Sequence, residues 1–279
     1  MDAMSLKLMY ITNDESVARI GQAHGVDRIW VDLETVGKEE RQKNQDSVKS
    51  HHTVEDVEKL SKILDKSELL VRVNPWGGHS VEEIEKVIAA GADIIMLPMW
   101  KSLAEVRAFL QTVAGRVKTT LLLETKEAVE CVDTVLQEGG FDEIHIGLND
   151  LHLSYGMSFM FEPLANGLVE ELCNKFKRYH IPYGFGGIAR IGEGLLPADK
   201  IIFEHYRLGS TRVILSRAFC DSKKLKDLSE LDRVFKEELV KLHDFENQMC
   251  KISQAQFAQN QLEVVDAVGK VAELLRKRC

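Results

Sequence analysis

Short apolar runs rich in Val, Ile and Leu recur along the whole chain: KLMYIT (7–12), RIWVDLE (28–34), LLVRVN (69–74), DIIMLP (93–98), TTLLLE (119–124), EIHIGL (143–148), YGFGG (183–187) and RVILS (212–216). Between them lie stretches with apolar residues at three- and four-residue intervals, among them VEEIEKVIAAG (81–91), LAEVRAFLQTVAG (103–115), EAVECVDTVLQEGG (127–140) and LVEELCNKFKRYH (168–180), several ending in Gly. Strands that alternate with helices pair in parallel through right-handed crossovers. Near-continuous apolar strands covered on both faces suit a doubly wound sheet or a closed barrel, and eight units favour closure. The pattern therefore predicts a (β/α)8 TIM barrel.

From about Ser222 onward the pattern turns almost wholly helical, with Leu225, Leu228, Leu231, Phe235, Leu242, Phe245, Met249 and Ile252 in one stripe and Leu262, Val265, Val268, Val271 and Leu275 in a second. One closing barrel helix does not need both stripes. The expected organisation is a catalytic barrel over 1–221 and a helical extension over 222–279, packed on the barrel or on a neighbouring subunit, with a homo-oligomer as the expected assembly. Two segments, the polar 42–56 and the irregular 154–163, follow the second and sixth strands, where the long loops of a barrel's active face are found.

Composition narrows the field. The 279 residues are 44% apolar and 29% charged with a net charge of −8, which describes a globular chain and sets aside phosphate-backbone binding as the main task. No run approaches the roughly 18 apolar residues of a membrane span, and the N-terminus lacks a secretion-signal pattern. The cysteines at 131, 173, 220, 250 and 279 form no CxxC pair and suggest neither a disulfide framework nor a zinc ribbon, so a cytoplasmic location is expected.

In a barrel, chemistry collects where strands end, and four strands end in charge: Asp32 and Glu34 on the second, Arg72 on the third, Glu124 on the fifth and Asp150 on the sixth. Glu124 and Asp150 are a pair able to hold a hard divalent cation, magnesium or manganese, with positions left for substrate and water. The alternatives are a salt bridge to Arg72 without metal, or helix capping by Asp150. Arg72 stands between Val71 and Val73, where a guanidinium must be paired or face a polar cavity. It either locks onto Asp32 or Glu34, or aims its fork at a substrate carboxylate or a developing enolate oxygen.

The blocks GVDRIWVDLE (25–34), VRVN (71–74), GADIIMLP (91–98), ETKEAVECV (124–132) and IGLNDLHLSYG (146–156) resemble the HpcH/HpaI aldolase and citrate lyase β-subunit family of the phosphoenolpyruvate/pyruvate-binding barrels, over roughly residues 5 to 218. The resemblance implies Glu124 and Asp150 as metal ligands, with the remaining positions taken by a 2-oxo acid and water. It implies Arg72 as the enolate-stabilising arginine, Glu34 as the residue orienting it, and the backbone N–H groups of Leu148, Asn149 and Asp150 as the substrate carboxylate cradle. Two departures stand out. Thr35 occupies the place of the histidine base of the hydroxy-oxo-acid aldolases, and Ile88, Ala89, Ala90 and Gly91 replace a helper aspartate, while the stretch from Asp32 to Arg41 resembles the citrate lyase side.

His152, two residues after Asp150, is a candidate base from a loop above the metal, or simply a loop cap. Arg190 and Arg217, after strands seven and eight, either meet an anionic group of the second substrate or close the barrel, Arg217 through Glu204 or Glu193. Trp76 and Trp100, just beyond strands three and four, either line the pocket or pack helices, with packing the default. His51, His52 and His79 fall on active-face loops without an assigned role. The expected activity is a metal-dependent carbon–carbon lyase that forms or uses a pyruvate-type enolate, with an aldehyde or acyl-CoA as the second reactant. The alternatives are an acyl-CoA lyase or thioesterase, a phosphoenolpyruvate-using transferase, and a non-catalytic 2-oxo acid-binding protein.

Overall fold

The computed structural model describes residues 5–37 and 52–277. His51, residues 38–50 and Cys279 lie outside the described residues, and with them most of the 42–56 segment. Eight strands hydrogen-bond in chain order as a closed parallel barrel: β1 (Lys7–Ile11), β2 (Arg28–Asp32), β3 (Glu68–Arg72), β4 (Ile94–Leu97), β5 (Lys118–Leu123), β6 (Glu143–Ile146), β7 (Tyr183–Ile188) and β8 (Arg212–Leu215). Each falls within about a residue or two of an apolar run in the sequence. The chain divides into two compact units, Met9–His145 forming one and Met1–Leu8 with Ile146–Cys279 the other.

In the Met9–His145 unit the crossover helices are α1 (Glu15–Ala23), α2 (Val54–Ser61), α3 (Ser80–Ala89), α4 (Leu103–Val113) and α5 (Lys126–Glu138). Their starts are written in the sequence. Asp14, Thr53, Ser102 and Thr125 each accept a backbone N–H of the first turn, relieving donors that have no intrahelical partner. Thr125 also donates its hydroxyl to the Trp100 carbonyl at 2.9 Å, which pins the chain next to Glu124. Gly91, after α3, has φ +95, and a Cβ there would stand 2.8 Å from Ser61 Cβ, so the left-handed turn and the close approach to α2 both demand glycine. Val31, Leu70, Val71, Ile95 and Leu121 are fully buried, as strands covered on both faces require.

In the other unit, α6 (Leu148–Ser154), α7 (Glu162–Ala165), α8 (Leu168–Arg178) and α9 (Ala198–Leu208) precede two long helices, α10 (Leu228–Met249) and α11 (Gln254–Arg276). The expected C-terminal helices are present. Helix α11 packs on α9 and α7 of its own chain, burying Phe257, Asn260, Val264, Val268 and Ala272. Its inward face is thus turned away from part of the stripe read from sequence, because Leu262 and Val265 are 66% and 44% exposed. A polar anchor sets the rotation: Asn260 Nδ2 donates to the Lys200 carbonyl at 3.1 Å and to Glu204 at 2.9 Å, and Lys200 pairs with Glu263. Helix α10 is tied down by buried Glu246, which accepts from Leu6 N at 2.8 Å, Ser5 Oγ at 3.1 Å and Tyr206 Oη at 3.0 Å. Among the described residues no helix is long and apolar enough to cross a membrane.

Candidate active site

The carboxyl ends of β2 and β3 build one charged cluster. Parallel pairing sets Asp32 directly beside Arg72 in the register, so the two side chains share a face. The Arg72 fork donates from Nε to Asp32 Oδ1 and from Nη2 to Asp32 Oδ2, both at 2.8 Å, and Nη1 lies 3.3 Å from Glu34 Oε2. Asp32 is therefore the principal orienting partner and Glu34 the second. The resemblance implies Glu34 as the orienting residue, and the structure adds Asp32 through register: residue 32 ends the strand opposite Arg72, whereas Glu34 lies beyond it. Glu34 is held in turn by its own N–H on Asp32 Oδ1, 3.2 Å away.

Arg72 Cζ also lies 5.3 Å from the centre of the buried Trp30 ring, a cation–π arrangement. Burial works against its charge, but Asp32, Glu34 and Glu124 outweigh that and hold its pKa well above the ordinary arginine value. The guanidinium is a permanent cation with N–H groups on Nη1 and Nη2 still available beyond the Asp32 bonds. Of the sequence alternatives for Arg72, the lock onto Asp32 and Glu34 is what the structure shows.

Glu124, at the end of β5, is 2% exposed, and its Oε1 accepts the Met99 N–H at 3.1 Å. Met99 follows β4 with φ 53, a left-handed conformation uncommon for a side-chain-bearing residue, and that turn aims its N–H at the carboxylate. Sequence gave no sign of Met99, because backbone conformation of this kind leaves no mark in residue type. Trp100, next in the chain, is fully buried and packs, as expected; Trp76 is half-buried.

In the other unit, Leu148, Asn149 and Asp150 form the first turn of α6, ahead of the first intrahelical bond, Leu151 N–H to Gly147 O. Gly186 of β7, at φ +53, makes room for this turn: a Cβ would come within 2.7 Å of Leu148 Cδ1. Asp150 is 7% exposed. His152 stands on the same helix rather than on a loop, and residues two apart on a helix point to different faces, so it does not share Asp150's direction. It is buried, its Nδ1 lies 3.2 Å from the Leu148 carbonyl, and burial pulls its pKa down, so the ring is neutral at pH 7. Arg190 donates from Nε to the Phe219 carbonyl at 2.8 Å, joining the segments after β7 and β8. Arg217 is exposed in the turn after β8, while Glu204 pairs with Arg207 at 2.7 Å. His52 Nδ1 accepts the Asp32 N–H at 3.0 Å, and His79 precedes α3 without a side-chain cap.

Carboxylate oxygens at Glu124 and Asp150 are the hard donors that magnesium or manganese takes. Among the described residues no group of three or more His, Cys, Asp or Glu is assembled as a protein cage.

Comparison with known proteins agrees with this architecture. The family model for HpcH/HpaI aldolase/citrate lyase matches residues 7–160, and the chain belongs to that family. Among solved structures, it is similar to an HpcH/HpaI aldolase from Desulfitobacterium hafniense DCB-2, with 16% identity, TM-score 0.61, and 82% of this chain and 93% of that chain covered. The citrate synthase SbnG aligns with 17% identity, TM-score 0.61 and coverage of 83% and 95%. Macrophomate synthase aligns with 14% identity, TM-score 0.57 and coverage of 84% and 86%. No curated protein sequence matches.

Proposed function

We propose that this protein is a divalent-cation-dependent carbon–carbon lyase that forms or uses a pyruvate-type enolate from a 2-oxo acid. The observation that carries the proposal is the Arg72 guanidinium at the end of β3, gripped by Asp32 and Glu34 with donors to spare, within electrostatic reach of the buried Glu124. Glu124 and Asp150 are assigned as the ligands of magnesium or manganese, which when bound supplies Lewis-acid polarisation of the substrate's 2-oxo group. Arg72 donates to the same oxygen as negative charge grows there, a contribution that is larger in the transition state than in the ground state. The planar fork, fixed on one side by Asp32, presents its remaining N–H groups without reorganisation. The first-turn N–H groups of Leu148, Asn149 and Asp150 bind the substrate carboxylate.

Thr35 bears on the choice of reaction. Its hydroxyl donates to Asn74 Oδ1 at 3.3 Å, so the position of the aldolase histidine holds a structural hydrogen bond and no base. That favours cleavages needing no proton abstraction at this point, of which loss of CO2 from oxaloacetate is the simplest. It equally keeps alive the second reading, a 2-oxo acid-binding protein without turnover. The proposal includes a role for Arg217 toward the second substrate and a homo-oligomer built on the C-terminal helices, the latter checked by light scattering of the intact chain; the acyl-CoA lyase, thioesterase and phosphoenolpyruvate-using transferase remain its rivals.

Oxaloacetate decarboxylation that appears only with added magnesium or manganese is the expected result. Calorimetry should show manganese affinity lost in both Glu124→Ala and Asp150→Ala; undiminished affinity in both would sink the ligand assignment. Pyruvate binding with no turnover would select the binding protein.

A further inference from the structure

Two residues beyond Arg72 on the same strand end, Asn74 holds the segment that follows β2. Its Oδ1 accepts the N–H of Thr35 at 2.9 Å, the N–H of Val36 at 3.0 Å and the Thr35 hydroxyl. Its Nδ2 donates to the Leu33 carbonyl at 3.2 Å, so one carboxamide bonds the backbone on both sides of Glu34. The carboxamide cannot rotate, because Glu83 in the first turn of α3 accepts from Asn74 Nδ2 at 2.7 Å and from Asn74 N at 3.1 Å. A carboxylate that accepts twice also fixes which end of the amide is nitrogen. The chain of contact runs from α3 through Glu83 and Asn74 to the Glu34 backbone, and from the Glu34 carboxylate to Arg72 Nη1.

We infer that Asn74 and Glu83 are positioning residues for the reaction: they set Glu34 against Arg72 by clamping residues 33–36, and Thr35 serves the clamp rather than proton transfer. Neither residue touches the reacting atoms. The inference rests on the lyase proposal for its consequence in turnover, but the clamp itself has a readout that needs no activity. If the Glu34–Arg72 contact loosens, Asp32 still holds Nε and Nη2 but Nη1 loses its carboxylate and the fork tilts, and small displacements of this kind cost rate far more than binding.

The test uses the intact chain with manganese and oxaloacetate, alongside hydrogen exchange resolved at the Thr35 and Val36 amides. Asn74→Ala should exchange those two amides faster, keep its melting temperature close to the parent, and lose about ten- to a hundredfold in kcat with KM changed less than about twofold. Asn74→Asp sets two carboxylates face to face and should do the same or worse. Adding Glu83→Gln to Asn74→Asp restores a donor opposite an acceptor and should recover much of kcat and of amide protection, a rescue that a general loss of stability would not give. Unchanged exchange in Asn74→Ala overturns the clamp. Faster exchange with unchanged kcat, or a kcat loss that only tracks the unfolded fraction, overturns the positioning role. Should Asn74→Ala fail to fold, the Asn74→Asp single and double variants decide by the presence or absence of rescue. A parent protein without oxaloacetate turnover defeats the lyase proposal instead, and the exchange arm still judges the clamp.

Discussion

The Met9–His145 unit buries two arginines in clusters of the same make-up at opposite ends of its strands. Arg72, where β3 ends, faces Asp32 and Glu34. Arg28, where β2 begins, donates from Nε to Glu68 at 2.9 Å and from Nη1 and Nη2 to the two oxygens of Glu143, the Nη2 bond being 3.1 Å. Each arginine therefore meets two carboxylates, and each has its pKa raised by them against the pull of burial. The difference is closure. The Arg28 and Glu143 side chains are 2% and 5% exposed, Thr120 Oγ1 donates to Glu143 at 2.8 Å, and Lys118 reaches Glu68 at 2.5 Å, so the Arg28–Glu143 pair is shut away from solvent. The Arg72 side chain keeps 11% exposure and lies near a further carboxylate, Glu124. A buried ion pair braces the strand starts, whereas the Arg72 guanidinium at the carboxyl ends keeps contact with solvent.

The sharpest way to break this comparison is to remove each arginine in turn. Arg28→Met strands Glu143 without its cation in a dry setting and should cost about 3–5 kcal/mol of stability. Urea unfolding that moves by less than about 1 kcal/mol would show the lower cluster to be dispensable. Arg72→Lys should behave in the opposite way: a point charge does not reproduce the planar fork, so kcat/KM for oxaloacetate should fall about 10²–10³-fold while the fold persists. Normal turnover in that variant would make Arg72 a second brace and erase the distinction.

Acid provides a smaller effect. Burial pulls the Glu68 pKa upward, but the Lys118 hydrogen bond and the Arg28 charge outweigh it and hold it below the ordinary carboxylate value. A lowered folded-state pKa gives stability that is present above the unfolded-state pKa and lost as pH falls through the folded-state value. Glu68→Gln should therefore flatten the acid limb of a stability-against-pH curve while leaving its neutral plateau nearly parallel; an unchanged limb would exclude Glu68 from the brace. Lys118→Met should have the least effect, within about 1 kcal/mol, because the lysine is more than half exposed and such pairs contribute little. A larger loss would extend the closed cluster to the surface.

The residues themselves show how far a sequence can be read. Arg72 stood out because it interrupts VRV, but Arg28 opens RIWVD and looks like an ordinary polar flank, although it is the more deeply buried of the two. Its partner Glu143 likewise reads as a strand's polar first residue. Asn74 and Glu83 carry no motif that marks them as a clamp, since their meeting depends on the crossing of α3 with the end of β3. His152 is visible as a titratable group beside Asp150, yet only the continuation of α6 through it sends it to another face.

What the sequence determined was everything governed by local periodicity and local capping: eight strands, the helices between them, the helical C-terminus, and the carboxylates and arginine at the strand ends, because hydrophobic alternation and side-chain caps act over a few residues. What the tertiary structure decided was pairing. Asp32 rather than Glu34 took the Arg72 fork because parallel register set it opposite, Met99 turned its amide onto Glu124 through a left-handed backbone, and α11 chose the Phe257, Val264, Val268 face over Leu262 and Val265 because Asn260 had to reach Lys200 and Glu204. Long-range hydrogen bonds and charges are directional and need both partners in place, and the identity of the second partner is fixed only when the chain has closed.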